Sequence, residues 1–243
     1  MSSYLLPVQV EQKKGEVTPF LEVVLENGKL LLHSSKVNYS FGALHDLFFR
    51  TFHALKMQER KIDQTLILGL GAGSVVNLLR EDFSQAGPVL GVEKDGVVLD
   101  LAKKYFHIDQ TRDLNIIHQD AYDFIAGCKT KFDLIVIDLF VEDSTPAQFA
   151  EDDFLKAIQN RLNEGGLVCY NRIVNSSEEM NKSSRLIEAF NRLIGPSFVL
   201  QYEMGNCLNW MVVYDGGTAK NTKEIPVFKP GDFSSLTSNA GRY

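Results

Sequence analysis

Cysteine is scarce in this chain, and the few residues present do not pair. Cys128, Cys169 and Cys207 stand far apart, and three is an odd number. That excludes a disulfide framework, and without a Cys-x-x-Cys pair no zinc-type spacing exists, so no metal is expected. Cys169 and Cys207 lie in apolar runs and read as buried thiols, which suits a reducing compartment. Long apolar runs are missing as well. No stretch of about 18 apolar residues occurs, as a membrane span would need. Residues 1–15 lack the apolar centre of a secretory signal. The expectation is a cytoplasmic protein with no membrane partner. An excess of basic charge is also lacking: the net charge is -6, which argues against a nucleic-acid backbone as partner. What remains is 44% apolar and 23% charged residues over 243 positions, a globular balance with enough chain for a large core.

The pattern along the chain changes period twice. Residues 20–25 and 29–33 read as strands joined at Asn27-Gly28, a pair suited to the positive φ angles of a tight hairpin. Leu44, Leu47, Phe48, Phe52 and Leu55 then fall on one helical face. From residue 65 strands alternate with helices. Strands are expected over 65–70, 88–93, 114–118, 132–139 and 167–171. Helices are expected over 74–80, 97–105, 121–126, 149–162 and 178–193. The fourth of these is expected to stop at Gly165-Gly166. Residues 198–203 and 207–214 are two strands with too short a link for a helix, so they should pair antiparallel. Repeated strand–helix units imply an α/β fold with a mostly parallel sheet covered on both faces. The division expected is a β-hairpin module with a roofing helix over 1–58, a ligand-binding domain over 59–216, and an extended tail over 217–243, which has few apolar anchors.

The sharpest local signal is Gly69-Leu70-Gly71-Ala72-Gly73-Ser74, between a strand and a helix. Glycines free the backbone to turn and let a ligand approach. The helix start beyond them offers unpaired N–H groups and partial positive charge. The spacing is GxGxG, with Ser74 where a dinucleotide fingerprint carries its third glycine, which favours a nucleoside with an amino-acid-like tail. Glu93 ends the next strand, 20 residues after Gly73, where a carboxylate accepts from both ribose hydroxyls. Lys94 follows it, and Asp95 is the better N-cap for the next helix. Asp120-Ala121 follows the third strand, facing the adenine edge, with capping as a second role for Asp120. Asp138 ends the most apolar strand, where this architecture collects reactive groups. It reads as a base or as a buried structural acid. Glu151, Asp152 and Asp153 read as acids at a helix start.

Gly69 to Gly73, Glu93, Asp120-Ala121 and Asp138 resemble motifs of class I S-adenosylmethionine-dependent methyltransferases. Within that superfamily the chain looks most like the spermidine-synthase branch, which also carries a β-hairpin module first. Asn27-Gly28 resembles the family's Asp-Gly turn, and Leu44-His45-Asp46-Leu47 its Tyr-His-Glu-Met stretch. Asn171 stands where the family usually has Gln. Ala72 replaces an acid of the family's glycine loop, and Leu44 a tyrosine. The catalytic loop of the family is matched by 138–146, with Asp138 as its first acid and Asp143 as the second at a longer spacing.

The resemblance implies a Rossmann-like methyltransferase fold, with seven strands and an antiparallel last strand. It implies S-adenosylmethionine, or its decarboxylated form, as cofactor, held by Gly69, Gly71, Ala72, Gly73, Glu93, Lys94, Asp120, Ala121 and Asp138. Asp138, Asp143 and His45 are the expected catalytic groups. A small-molecule acceptor is expected, and a homodimer is the assembly the family suggests. The departures at Ala72 and Leu44 put methyl transfer first. Aminopropyl transfer is the alternative, and nucleoside binding without turnover a third.

Overall fold

The computed structural model describes residues 6–34, 38–40, 42–142, 144–204 and 207–217. Asp143, the Cys207 side chain and the tail from 218 on lie outside them.

The first described strands form an antiparallel sheet: β1 (Val8–Lys13), β2 (Leu21–Glu26), β3 (Lys29–Ser34) and β4 (Asn38–Ser40), in that spatial order. Asn27 and Gly28 turn the β2–β3 hairpin at φ 50° and 76°, as their sequence demands. Helix α1 (Ala43–Ala54) buries Leu47, Phe48 and Phe52.

The larger sheet alternates with helices: β5 (Thr65–Leu68), α2 (Ser74–Glu81), β6 (Val89–Glu93), α3 (Gly96–Phe106), β7 (Leu114–His118), α4 (Ala121–Gly127), β8 (Phe132–Ile137), α5 (Asp152–Asn160), β9 (Leu162–Ile173), α6 (Ser177–Leu193), β10 (Ser197–Met204) and β11 (Cys207–Asp215). Its spatial order is β10-β11-β9-β8-β5-β6-β7. The five strands from β9 to β7 run parallel, and β11 opposes both neighbours. This is the expected Rossmann-like α/β sheet with its closing antiparallel strand.

Both faces of the sheet are covered, so its central strands are apolar on both sides. On one face Ile67, Leu134, Val136, Cys169, Met211 and Val213 meet α1, α2 and α3. On the other Leu66, Leu68, Ile135, Ile137, Val168 and Tyr170 meet α4, α5 and α6. Each fully buried Phe or Leu contributes about 1.5–3 kcal/mol. Cys169 is buried, as expected, and burial pushes its thiol far up. Arg60, just before β5, clasps the buried Asp215 at the end of β11 through both guanidinium nitrogens.

One expectation is corrected. The helix expected over 149–162 is a short 3₁₀ turn (Ala147–Ala150) followed by α5, and α5 ends at Asn160. Gly165-Gly166 does not cap it. Leu162 already pairs with Phe132, and Leu167 pairs with Leu134, so residues 163–166 bulge within β9. Gly165, at φ 77°, takes the left-handed position this needs.

Candidate functional site

The order of winding reverses between the parallel strands β5 and β8: β5 leads through α2 to β6 on one side, while β8 flanks it on the other. Open parallel sheets have their crevice at such a switch point, beyond the carboxyl ends of the strands. Gly69, Glu93, Asp120, Asp138 and Asn171 all stand at those ends.

The turn leaving β5 is built from three glycines at positive φ: Gly69 at 88°, Gly71 at 55° and Gly73 at 87°. At Gly69 the reason is steric. A Cβ there would fall onto the Asp138 carbonyl. At Gly73 a side chain would press on Ile108. Gly73 also N-caps α2 with no side chain to satisfy the first N–H groups. Ala72 is buried, and the buried Ser74 hydroxyl has no hydrogen-bond partner.

Glu93 is held by that turn. Its Oε2 accepts from the Gly71 N–H at 3.0 Å, and its Oε1 accepts from the N–H groups of Lys94 (2.9 Å) and Asp95 (3.0 Å). Burial pushes this carboxyl above its usual range, and the three N–H bonds act against that.

Asp95 does more than the capping expected of it. Its Oδ1 accepts from Val97 and Val98 in α3, while its Oδ2 accepts from Val17 (3.0 Å) and Thr18 (3.2 Å) in the loop between β1 and β2. It is 2% exposed. Burial works to raise its carboxyl, but the N–H groups of Val17, Glu16, Thr18 and Val97 hold it below the usual range. The first sheet is thereby tied to the rim of the crevice. Glu11 in β1 adds a second tie, accepting from Lys104 Nζ at 2.6 Å and from the Tyr105 hydroxyl at 2.5 Å.

Asp120 caps α4, its Oδ1 accepting from the Tyr122 N–H at 2.8 Å. Its other oxygen lies 2.8 Å from Lys94 Nζ, so Lys94 and Asp120 bridge the ends of β6 and β7. Ala121 is buried behind them.

Asp138 directly follows β8, and its N–H donates to Leu68 O at the end of β5 at 2.8 Å. Its Oδ1 accepts from Asn171 Nδ2 at 3.0 Å. Burial pushes its carboxyl up to about 7; Asn171 opposes the rise, and the like charge of Glu93 adds to it. A carboxyl in that range takes and returns protons near neutral pH. His45, on α1, has its Nδ1 3.9 Å from Asp46 Oδ1. Among the described residues no cluster of metal-ligating side chains occurs, and no helix is long and apolar enough to cross a membrane.

Sequence reasoning left the Asn171–Asp138 bond unread. The signal lies in register: Ile137 pairs with Tyr170, so the next residue of each strand meets its neighbour. The Lys94–Asp120 pair was hidden because its partners stand on strands with a helix between them.

Comparison with known proteins shows the family. Residues 51–214 match the spermine/spermidine synthase domain model. A probable polyamine aminopropyl transferase of Bifidobacterium longum is 25% identical over 68% of this chain and 36% of its own length. The next such relative is matched over 49% of its length, so the chain spans about half or less of each. A polyamine aminopropyltransferase of Saccharolobus solfataricus is 25% identical over 91% of this chain and 87% of its own. Among solved structures, a probable spermidine synthase from Corynebacterium glutamicum superposes with a TM-score of 0.69 at 18% identity, covering 94% of this chain and 86% of that one. The matched residues make up more than half of the chain, and the chain belongs to the spermine/spermidine synthase domain family.

Proposed function

We propose that this chain is a transferase that binds decarboxylated S-adenosylmethionine and moves its aminopropyl group from sulfur to a small amine. The carrying observation is the bond between Gly71 and Glu93, which joins the turn of β5 to the acid of β6 in one crevice. The bound sulfonium supplies an electrophilic carbon; this chain supplies alignment and a place for a proton.

The residues fit such a ligand. Gly71 and Gly73 let its backbone pass close. Beyond its three N–H bonds Glu93 keeps one lone pair, on Oε2, for a ribose hydroxyl, and Asp120 stands where the base edge would lie. Ser74 offers a buried hydroxyl still wanting a partner. Asp138 accepts the proton of the attacking amine as the new C–N bond forms and the C–S bond breaks, leaving a neutral thioether. Asp143 and His45 belong to the same reading as further acceptor groups, and a homodimer is the assembly to test.

Sequence alone put methyl transfer first; the relatives named as polyamine aminopropyltransferases back aminopropyl transfer better. One observation keeps methyl transfer as a second reading. The glycine loop carries buried Ala72 in place of an acid, so nothing in it repels a cofactor carboxylate.

Calorimetry with both cofactor forms and with methylthioadenosine tests the reading, followed by mass measurement of products from linear diamines. Binding of the decarboxylated form with a gain of one aminopropyl group on the amine is the expected result. Methylated product from the carboxylated form would favour the second reading. No nucleoside binding would remove both.

A further inference from the structure

Asn171 carries an inference that rests on the reading of Asp138 as proton acceptor. Its side chain is 1% exposed, on β9 beside the end of β8. Nδ2 donates to Asp138 Oδ1 at 3.0 Å, while its own Oδ1 is buried and has no hydrogen-bond partner among the described residues. A buried amide oxygen without a donor is costly to keep, and native interiors rarely retain one. The surroundings supply the reason for it. The charged group set against Asp138 is Glu93, from β6, whose like charge favours the protonated acid; Asn171, from β9, is neutral. Asp138 therefore needs a neighbour that suits both of its states.

We propose that Asn171 is the positioning residue of Asp138 and serves it in both protonation states. The amide donates from Nδ2 to the charged carboxylate. When Asp138 takes up the acceptor's proton, the amide turns over and Oδ1 accepts from the carboxylic acid. A leucine of similar size can do neither, and a carboxylate could only accept. The main-chain bond from Asp138 to Leu68 keeps the carboxyl at one place through the exchange.

The test uses the full chain with aspartate labelled at its carboxyl carbon. The Asp138 signal is identified by its loss in Asp138→Asn and is titrated by NMR. The wild-type midpoint is expected near 7. Asn171→Leu is expected to raise it by about one pH unit, a tenfold change in the ionisation ratio, because the lost bond to the charged carboxylate is stronger than the lost bond to the acid; Asn171→Thr, whose hydroxyl both donates and accepts, is expected to stay closer to the wild-type midpoint. In the wild type the Asn171 side-chain amide resonances should move through the same midpoint, which needs no variant to fold. An unmoved midpoint in folded Asn171→Leu, or an amide signal indifferent to pH, overturns the proposal. If the shifts appear while Asp138→Asn transfers as fast as wild type, the pairing stands and the role of Asp138 as proton acceptor falls.

Discussion

Gly71 donates its main-chain N–H to Glu93 Oε2 across 3.0 Å, so the turn after β5 and the acid ending β6 are one bonded unit. The acid is thus oriented before any ligand arrives. Replacing Glu93 by Ala strips three main-chain donors of their acceptor as well as any ligand hydroxyls. Affinity for methylthioadenosine should fall by roughly 1–3 kcal/mol, about five- to 150-fold, measured by calorimetry. Unchanged affinity would separate Glu93 from nucleoside binding.

Gly69→Ala should be among the most damaging single changes in the chain. It combines a left-handed φ of 88° with a Cβ driven onto the Asp138 carbonyl. A loss of about 2–4 kcal/mol in urea unfolding is expected. Gly127→Ala is the control, since nothing lies within 4 Å of its added carbon, and it should be neutral or mildly stabilising.

Asp138 gives stability a pH dependence with a defined sign. Its folded carboxyl titrates at about 7, above the ordinary value of 3.8. Between those pH values the native state binds more protons than the unfolded one, so stability falls as pH rises. Asp138→Asn should abolish that part of the slope, an effect on the order of 4 kcal/mol across the window. Parallel wild-type and variant stability curves between pH 4 and pH 8 would contradict it.

Asp95 should matter to the first sheet as much as to the helix it caps. Asp95→Ala removes a buried acceptor shared by Val17, Thr18, Val97 and Val98. A loss of about 2–4 kcal/mol is expected, with faster hydrogen exchange at the Val17 and Thr18 amides. Exchange there at the wild-type rate would mean the loop is held by other contacts.

Most of the sheet was legible because its strands are short, apolar and separated by clear helix starts. Glu93, Asp95 and Asp120 were legible because strand ends and helix caps leave local signatures. Gly165-Gly166 misled because two glycines after a helical pattern suit a helix stop and a strand bulge equally. Only the pairing of Leu162 with Phe132 decides between them. Asn171 and Lys94 were missed as partners because their bonds join residues 33 and 26 positions apart (138 to 171, 94 to 120), and only sheet order brings such residues together. The tie from Val17 to Asp95 spans 78 positions and was illegible for the same reason.

The last described strand is not at the border of its sheet. β11 enters between β9 and β10, and Arg60 grips the acid at its end. While the chain emerges from the ribosome, β9 must therefore wait with one flank of peptide groups bare until residues 207–215 appear. Over that interval the nascent molecule carries a sticky apolar border, open to neighbouring chains. A premature stop before residue 207 would make that temporary hazard permanent, so truncated products should collect in inclusion bodies or depend on chaperones.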